Sequence, residues 1–388
     1  MKALQKNKLQ KIELKKIIIN IKEIYDVIKP LTSLRMFFAL FVFLSHLAFL
    51  KETDYANIFN SIFDEGFLGV SFFFILSGFI LAYNYKEKFL IGNISKREFY
   101  ISRLARIYPV HIATTALVFL LTFAQSGKGW EYLIQHVFLI QSFFTSEEIH
   151  FSLNSPSWSI SDEMFFYLLF PFAFLISEKI RSYIFILYLI GILILNIQLD
   201  KNQDHYWLYI SPYVRFSDFL LGIILFDIFE KVKVGYSKIK QPIVIFELGA
   251  ILLFVLFFVF HNKIDISYRY SIYYWVPMAA IILIFALSHV AQKKSIITQF
   301  LSNKYMVLAG EISFSFYLLH VLEIQILNYI RKIFSLNMDL MLFSFFIFIV
   351  TLIASFLMYR FIEKPLNKKV KQFLLEPSFK SKGYELNK

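Results

Sequence analysis

The sequence predicts an all-α, polytopic membrane protein of about ten transmembrane helices, with N- and C-termini on the cytoplasmic side. Three observations carry this. The 388 residues are 58% hydrophobic and 19% aromatic, with a mean hydropathy of +0.60, far more apolar than soluble domains. Apolar runs of spanning length recur from end to end, without the period-two alternation of a β-barrel. With ten spans and the N-terminus inside, about 30 of the 40 Lys and Arg residues fall in cytoplasmic segments, about 7 outside and about 3 within spans, a strong positive-inside bias. A formal charge of +12 points to nucleic acid in a soluble protein. Here the basic residues flank apolar segments, so membrane lipids and orientation account for them and no nucleic-acid partner is expected.

The elements follow in order. Residues 1–30 carry eight lysines spread among Leu and Ile, with no compact apolar core ahead of a small-residue cleavage site. They read as a basic amphipathic segment on the cytoplasmic surface, or as a solvated charged tail. Pro30 separates them from the membrane domain, residues 31–366. Spans are expected at 32–50, 66–84, 107–124, 156–177, 183–199, 207–229, 242–261, 271–291, 305–329 and 340–362. The apolar segment 131–144 is short and broken by Gln135, His136 and Gln141, and reads as interfacial or re-entrant. As an eleventh span it would reverse every later loop and put the basic 230–240 and C-terminal segments outside. Glu363-Lys364-Pro365 should end the last helix, because proline disfavours helical conformation in the residue before it. A basic cytoplasmic tail, 367–388, follows.

Within this apolar chain the ionisable residues stand out. Arg35 and His46 lie in the first span, LTSLRMFFALFVFLSHLAFL. Eleven residues is close to three helical turns, so the two share one face about 16 Å apart along the axis. Such residues are costly in a bilayer and mark a working site or a buried pair. The orientation puts Arg35 near the cytoplasmic face and His46 in the outer half. Asp162 and Glu163 lie about 10 Å below the external surface at helical rise. Arg215 and Asp218 lie at similar depth, and His320 and Glu323 also fall in the outer half. Arg97, Arg103 and Arg106 lead into the third span from the cytosol. One site with two ends results, basic at the cytosol and mixed acid–base toward the exterior. No metal is expected, because the eight histidines are scattered without ligand spacing. The absence of cysteine removes disulfides, thiolate nucleophiles and cysteine metal sites, and no glycine-rich phosphate loop is present.

Taken in order, the motifs resemble acyltransferase family 3, integral membrane acyltransferases that modify bacterial cell-surface glycans. Arg35 and His46 match the family's arginine–ten residues–histidine signature. GFLGVSFFFILSGFIL at 66–81 resembles its glycine-rich second span, and REFYISRLARIYPVH at 97–111 carries the Arg103–x–x–Arg106 pair. SWSISDEMFFYLLFP at 157–171, with Glu163 as its acid, RFSDFLLG at 215–222, SFSFYLLH at 313–320 and RFIEKP at 360–365 complete the series. The resemblance covers roughly residues 30–366. One departure is Ser71, which stands after glycine–valine where the family usually has an acid. The chain also stops soon after the tenth span, without the extracytoplasmic esterase-like domain of some relatives, so transfer would finish within the membrane or with a separate partner.

The resemblance implies an O-acyltransferase of the bacterial cytoplasmic (inner) membrane. The donor would be cytosolic acyl-CoA, acetyl-CoA first, as a co-substrate and not a resident cofactor. The acceptor would be a hydroxyl of a surface polysaccharide, a lipid-linked glycan or another envelope glycan, with polysaccharide-synthesis proteins as partners. Such a reaction needs a base, oxyanion stabilisation and a grip on the donor. His46 is the candidate base, its ordinary pKa lying near physiological pH, with Glu163 to orient it as a carboxylate orients a catalytic histidine. Arg35, Arg103 and Arg106 are candidate ligands for the donor phosphates. Trp158, Asp162, Arg215 and His320 are candidate substrate-binding or supporting residues. Direct transfer and an acyl-histidine intermediate both stay open; an acyl-serine at Ser45, Ser159 or Ser161 is less favoured. Each residue also has an ordinary alternative. Arg35 could snorkel to headgroups, His46 and His320 could pack between helices, Arg103 and Arg106 could be positive-inside charges, and Asp162 and Glu163 could face external water at a frayed helix start. Arg215 and Asp218 could be a structural pair at i, i+3. Gly66, Gly69 and Gly78 permit close helix approach or a broken helix, close approach being preferred. The competing functions are a transporter or flippase of a glycan or lipid-linked intermediate, and a non-catalytic subunit of a synthesis complex.

Overall fold

The computed structural model describes residues 27–237 and 243–375. The basic segment over 1–26 and the tail beyond 375 lie outside the described residues. Among these residues there is no strand, and ten helices of 16 to 31 residues each overlap one predicted span. They are α1 (Lys29–Ser45), α2 (Leu68–Leu90), α3 (Lys96–Ser126), α4 (Trp158–Leu175), α5 (Glu178–Gln198), α6 (Pro212–Ser237), α7 (Val244–Phe260), α8 (Trp275–Val290), α9 (Lys304–Ile333) and α10 (Leu340–Met358). Seven helical stretches, holding α2, α3, α5, α7, α8, α9 and α10, are long and apolar enough to cross a membrane. The other three are shorter or more polar. α1 has 17 residues, α4 carries Asp162 and Glu163, and α6 carries Arg215, Asp218 and Asp227. Those are the helices that bring much of the ionisable chemistry inside.

Successive helices run in alternating directions, and polar contacts near the helix ends fix both ends of the bundle. At the end holding the start of α1, Ser33 donates to the Leu301 carbonyl (2.5 Å) and Lys231 pairs with Glu178 (2.6 Å). At the end holding His46, Tyr55 donates to Asp339, and Asn196 donates to Ser271 (3.3 Å). Close helix approach is the role of Gly78. A Cβ there would come 2.0 Å from the Phe219 carbonyl, and one on Gly222 would come 2.0 Å from the Ile75 carbonyl. The two glycines therefore let the backbones of α2 and α6 touch. Gly310 does the same for α9 on α1, where a Cβ would lie 1.8 Å from the Thr32 carbonyl.

The segment 131–144 contains only a six-residue helix, Leu133–Phe138, flanked by short 3₁₀ turns. Six residues rise about 9 Å, too little to cross a bilayer. The segment is folded back on the bundle. Gln141 donates to the Ser157 carbonyl (2.9 Å), Ser142 donates to Ser161 (2.7 Å), and the His111 ring bonds the His136 carbonyl (2.9 Å).

The two largest differences from the predicted boundaries lie at the start of α3 and after α10. α3 starts at Lys96, well before 107, because Ser95 and Glu98 form a capping box in which Glu98 N–H donates to Ser95 Oγ (3.1 Å). This puts Arg97, Arg103 and Arg106 on a helix. At the other end of the chain, helix does not stop at Glu363. α10 passes through a π-turn, Tyr359–Glu363, into α11, Lys364–Leu375. Pro365 follows directly on the π-turn, whose wider spacing accommodates the N–H that proline lacks. α11 docks on α3, with Arg97 donating to the Leu374 carbonyl (2.9 Å), and so crosses the expected boundary between domain and tail.

The absence of cysteine makes the alternating arrangement directly testable. Single substitutions Asn60→Cys and Asn93→Cys, both at exposed positions, should label with an impermeant maleimide from opposite sides of sealed membranes. Adding a methyl at the tight crossing, Gly310→Ala, should destabilise by ~1–3 kcal/mol, read by unfolding in mixed micelles.

Candidate functional site

α1, α2, α3, α4 and α9 surround a cavity of about 150 Å³. It collects Arg35 from α1, Ser77 from α2, Arg103 and Arg106 from α3, Glu163 and Tyr167 from α4, and Tyr317 from α9. Three arginines separated widely in sequence thus share one chamber with the acid of the fourth helix. Each is held differently. Arg103 donates to Tyr85 Oη (2.9 Å), and its guanidinium lies over the rings of Tyr85 (5.3 Å) and Tyr167 (5.9 Å). Arg106 pairs with Glu363, whose other oxygen accepts from Ser315 (2.7 Å). Arg35 interacts electrostatically with Glu163 and Glu363 and is opposed by Arg106. Three guanidiniums thus gather around this cavity with two carboxylates, Glu163 and Glu363, near them.

Glu163 and His46, expected to bond each other, have other partners. Both Ser77 (3.0 Å) and Tyr167 donate to Glu163 Oε1. These bonds and the attraction of Arg35 hold the carboxylate in the arginine cavity. His46 caps the C-terminal end of α1, with its Nδ1 2.8 Å from the Val42 carbonyl and 3.3 Å from His320 Nε2. His320 Nδ1 lies 2.6 Å from the Tyr317 carbonyl. Carbonyl oxygens only accept, so both Nδ1 atoms carry hydrogens. His46 Nδ1–H then points at the lone pair of His320 Nε2 as well as at Val42. The unprotonated nitrogen of His46 is Nε2, where a base would need it.

The supporting residues lie between these centres. The Trp158 ring packs against Tyr209 (4.9 Å) and Phe74 (6.4 Å), and Phe74 lines the arginine cavity. Asp162 does not face external water: it is 0% exposed, and neither carboxylate oxygen has a hydrogen-bond partner. The segment 130–157 covers that end of α4, with Ser161 donating to the Leu139 carbonyl (2.6 Å). Arg215 is 1% exposed and pairs with Asp218 at 3.2 Å. It also donates to Ser71 Oγ (2.8 Å) and to the Tyr270 carbonyl (2.7 Å). Ser71 therefore accepts from an arginine at the position where the family usually has an acid. Asp218 accepts from Trp275 Nε1 (2.6 Å).

Sequence reasoning passed over several residues that build the cavity. Tyr167 and Glu363 sat inside quoted motifs, Glu363 only as a helix terminator. Ser77 also sat inside a quoted motif, the glycine-rich second span, while Tyr85 carried no signal. The pairing of His320 with His46 was foreshadowed only by their similar depth.

Fold and site together define a polytopic helical membrane protein with an arginine-lined cavity at one end of its bundle and a bonded pair of imidazoles toward the other. The chain belongs to acyltransferase family 3: residues 29–360 match the family profile, described as an acyltransferase domain. It is 35% identical over 159 residues to acyltransferase MdmB of Streptomyces mycarofaciens, covering 39% of this chain and 40% of that protein. It is 27% identical over 347 residues to O-acetyltransferase OatA of Staphylococcus aureus strain MRSA252, covering 81% of this chain and 55% of that protein. The chain thus spans about half the length, or less, of these relatives. No solved structure matches it significantly.

The Arg106–Glu363 contact joins α3 to the π-turn through a carboxylate that is 1% exposed. A double-mutant cycle with Arg106→Gln and Glu363→Gln should show a coupling of at least ~1 kcal/mol in unfolding. Additive effects would mean that the pair does not fasten these elements.

Proposed function

We propose that the protein is an integral membrane O-acyltransferase of the bacterial cytoplasmic membrane, crossing it ten times with both termini in the cytosol. It transfers an acyl group, acetyl first, from cytosolic acyl-CoA to a hydroxyl of a cell-surface polysaccharide or other envelope glycan. The observation that carries this reading is the convergence of Arg35, Arg103 and Arg106 on one cavity, with His46 farther along the Arg35 helix. Membership in the family and the names of the relatives support the reaction class.

In this reading the diphosphate and phosphate of the donor dock on the arginines, which bind phosphate oxygens bidentately. The pantetheine arm then follows α1, about 16 Å from Arg35 to His46 at helical rise. His46 Nε2 accepts the proton of the acceptor hydroxyl while its oxygen attacks the thioester carbonyl. The carbon–sulfur bond breaks, and coenzyme A leaves with the proton as the free thiol. His320 accepts from His46 Nδ1–H and so keeps the ring turned with Nε2 free. Glu163, fastened by Ser77 and Tyr167, balances the arginines. Trp158, Asp162 and Arg215 support the acceptor side.

Purified protein in lipid nanodiscs should show this division of labour. His46→Ala should lower acyl transfer by about 10²–10⁴-fold, the usual contribution of a base. Arg103→Gln should raise the KM for acetyl-CoA by about tenfold, the loss of one charge-assisted bond. His320→Phe keeps an aromatic ring but no acceptor, and should lower kcat about tenfold with the acetyl-CoA KM unchanged. In cells, His46→Ala should abolish envelope glycan acylation, read by mass analysis, while glycan export continues. Unchanged acylation would remove His46 as the base. Loss of export with no acylation in the wild type would favour a transporter.

A further inference from the structure

A second cavity, of about 280 Å³, opens at the end of the bundle that holds His46. Its walls come from three connections: Asn60, Asp64, Glu65 and Phe67 between α1 and α2, His205 and Tyr209 ahead of α6, and Asn262, Arg269 and Tyr270 between α7 and α8. Tyr209 also packs on Trp158, which packs on Phe74 in the wall of the arginine cavity. One aromatic layer thus lies between the two chambers.

Building on the acyl-transfer reading, we propose that this outer cavity is the acceptor subsite and holds a neutral pyranose unit of the glycan. A pyranose presents an apolar face of C–H bonds and an edge of hydroxyls that both donate and accept, and the cavity offers a counterpart to each. The rings of Phe67, Tyr209 and Tyr270 stand 4.9 to 5.8 Å apart, with His205 5.4 Å from both tyrosines. Together they form an aromatic wall suited to C–H contacts. Asn60, Asp64 and Asn262 are exposed at the rim and supply amide donors and carbonyl or carboxylate acceptors. Arg269 Nε, in the wall, is buried without a hydrogen-bond partner, a donor left for a ligand oxygen.

Charge argues for a neutral ligand. Glu65 is consumed by Tyr274 (2.7 Å), by Arg269 and by the nearby His261 (3.6 Å), and Asp64 pairs with Lys51 (3.0 Å). Arg269 is the one arginine that lines this space among the described residues, against three in the inner chamber. The wall is also anchored to the core. Arg215 donates to the Tyr270 carbonyl, so the buried ion pair of α6 fixes the backbone that presents the ring.

The test uses the full chain in nanodiscs with labelled acetyl-CoA. The acceptor probe is envelope glycan extracted from cells that carry His46→Ala. Tyr270→Ala should raise the half-saturating glycan concentration about tenfold and Asn262→Ala about fivefold, with the half-saturating acetyl-CoA concentration unchanged. Tyr270→Phe, which keeps the ring, should behave like the wild type. Wild-type glycan saturation in both alanine variants would overturn the subsite while the acyl-transfer reading stands. An equal shift in glycan and acetyl-CoA saturation would also overturn it, because the effect would not be confined to the acceptor. No transfer by the wild-type chain would overturn both readings together.

Discussion

A charge placed among helices in a lipid environment finds its partner within the protein or not at all, and much of the architecture follows from that constraint. Arg215 reaches from α6 to Ser71 on α2 and to the backbone at Tyr270, while its partner Asp218 takes a hydrogen bond from Trp275 on α8. Arg181 pairs with Asp227 across α5 and α6 (2.6 Å) and also donates to the carbonyls of Ala173, Phe174 and Ile176 at the end of α4. Arg106 ties α3 to Glu363 and, through Ser315, to α9. Apolar packing alone discriminates weakly among greasy neighbours in a membrane. These directional bonds specify which helices adjoin, and breaking one leaves an uncompensated charge inside.

The helices were legible because an apolar run long enough to span announces itself in composition, and each of the ten runs holds a long helix. Three limits had physical causes. The start of α3 moved because a capping box outweighed a polar, basic stretch that reads as a loop. Helix continued past Glu363 because a π-turn absorbs the proline at the start of α11. Glu163 was assigned to His46 because hydropathy gives the depth of a residue and not the direction in which its helix turns it. The structure turns Glu163 toward Ser77, Tyr167 and the arginines, and gives His46 to His320 at the same depth on another helix. The gathering of Arg35, Arg103 and Arg106 was legible from their shared depth together with the family motifs that carry them.

The two chambers differ in the chemistry of their walls. The inner one is rich in guanidinium. The outer one is wider and lined by aromatic rings, amides and a carboxylate already neutralised. Trp158 and Tyr209 stand between them, and their neighbour Tyr317 touches both the inner cavity and, through its carbonyl, the histidine pair. Helix α9 therefore contributes both to the inner cavity and to the setting of the histidine pair.

The hydrogen bond from His320 to the Tyr317 carbonyl has a further consequence. A carbonyl oxygen at neutral pH takes no proton, so the chain of bonds from His46 stops there. A positive charge arriving at His46 Nε2 can be shared by both rings, since His46 Nδ1–H faces His320 Nε2, but it has no exit on that side. The proton must depart from the nitrogen at which it entered. In an acyl transfer the group waiting there is the departing thiolate, so each turnover would balance internally, without drawing on the proton gradient of the membrane in which the enzyme sits.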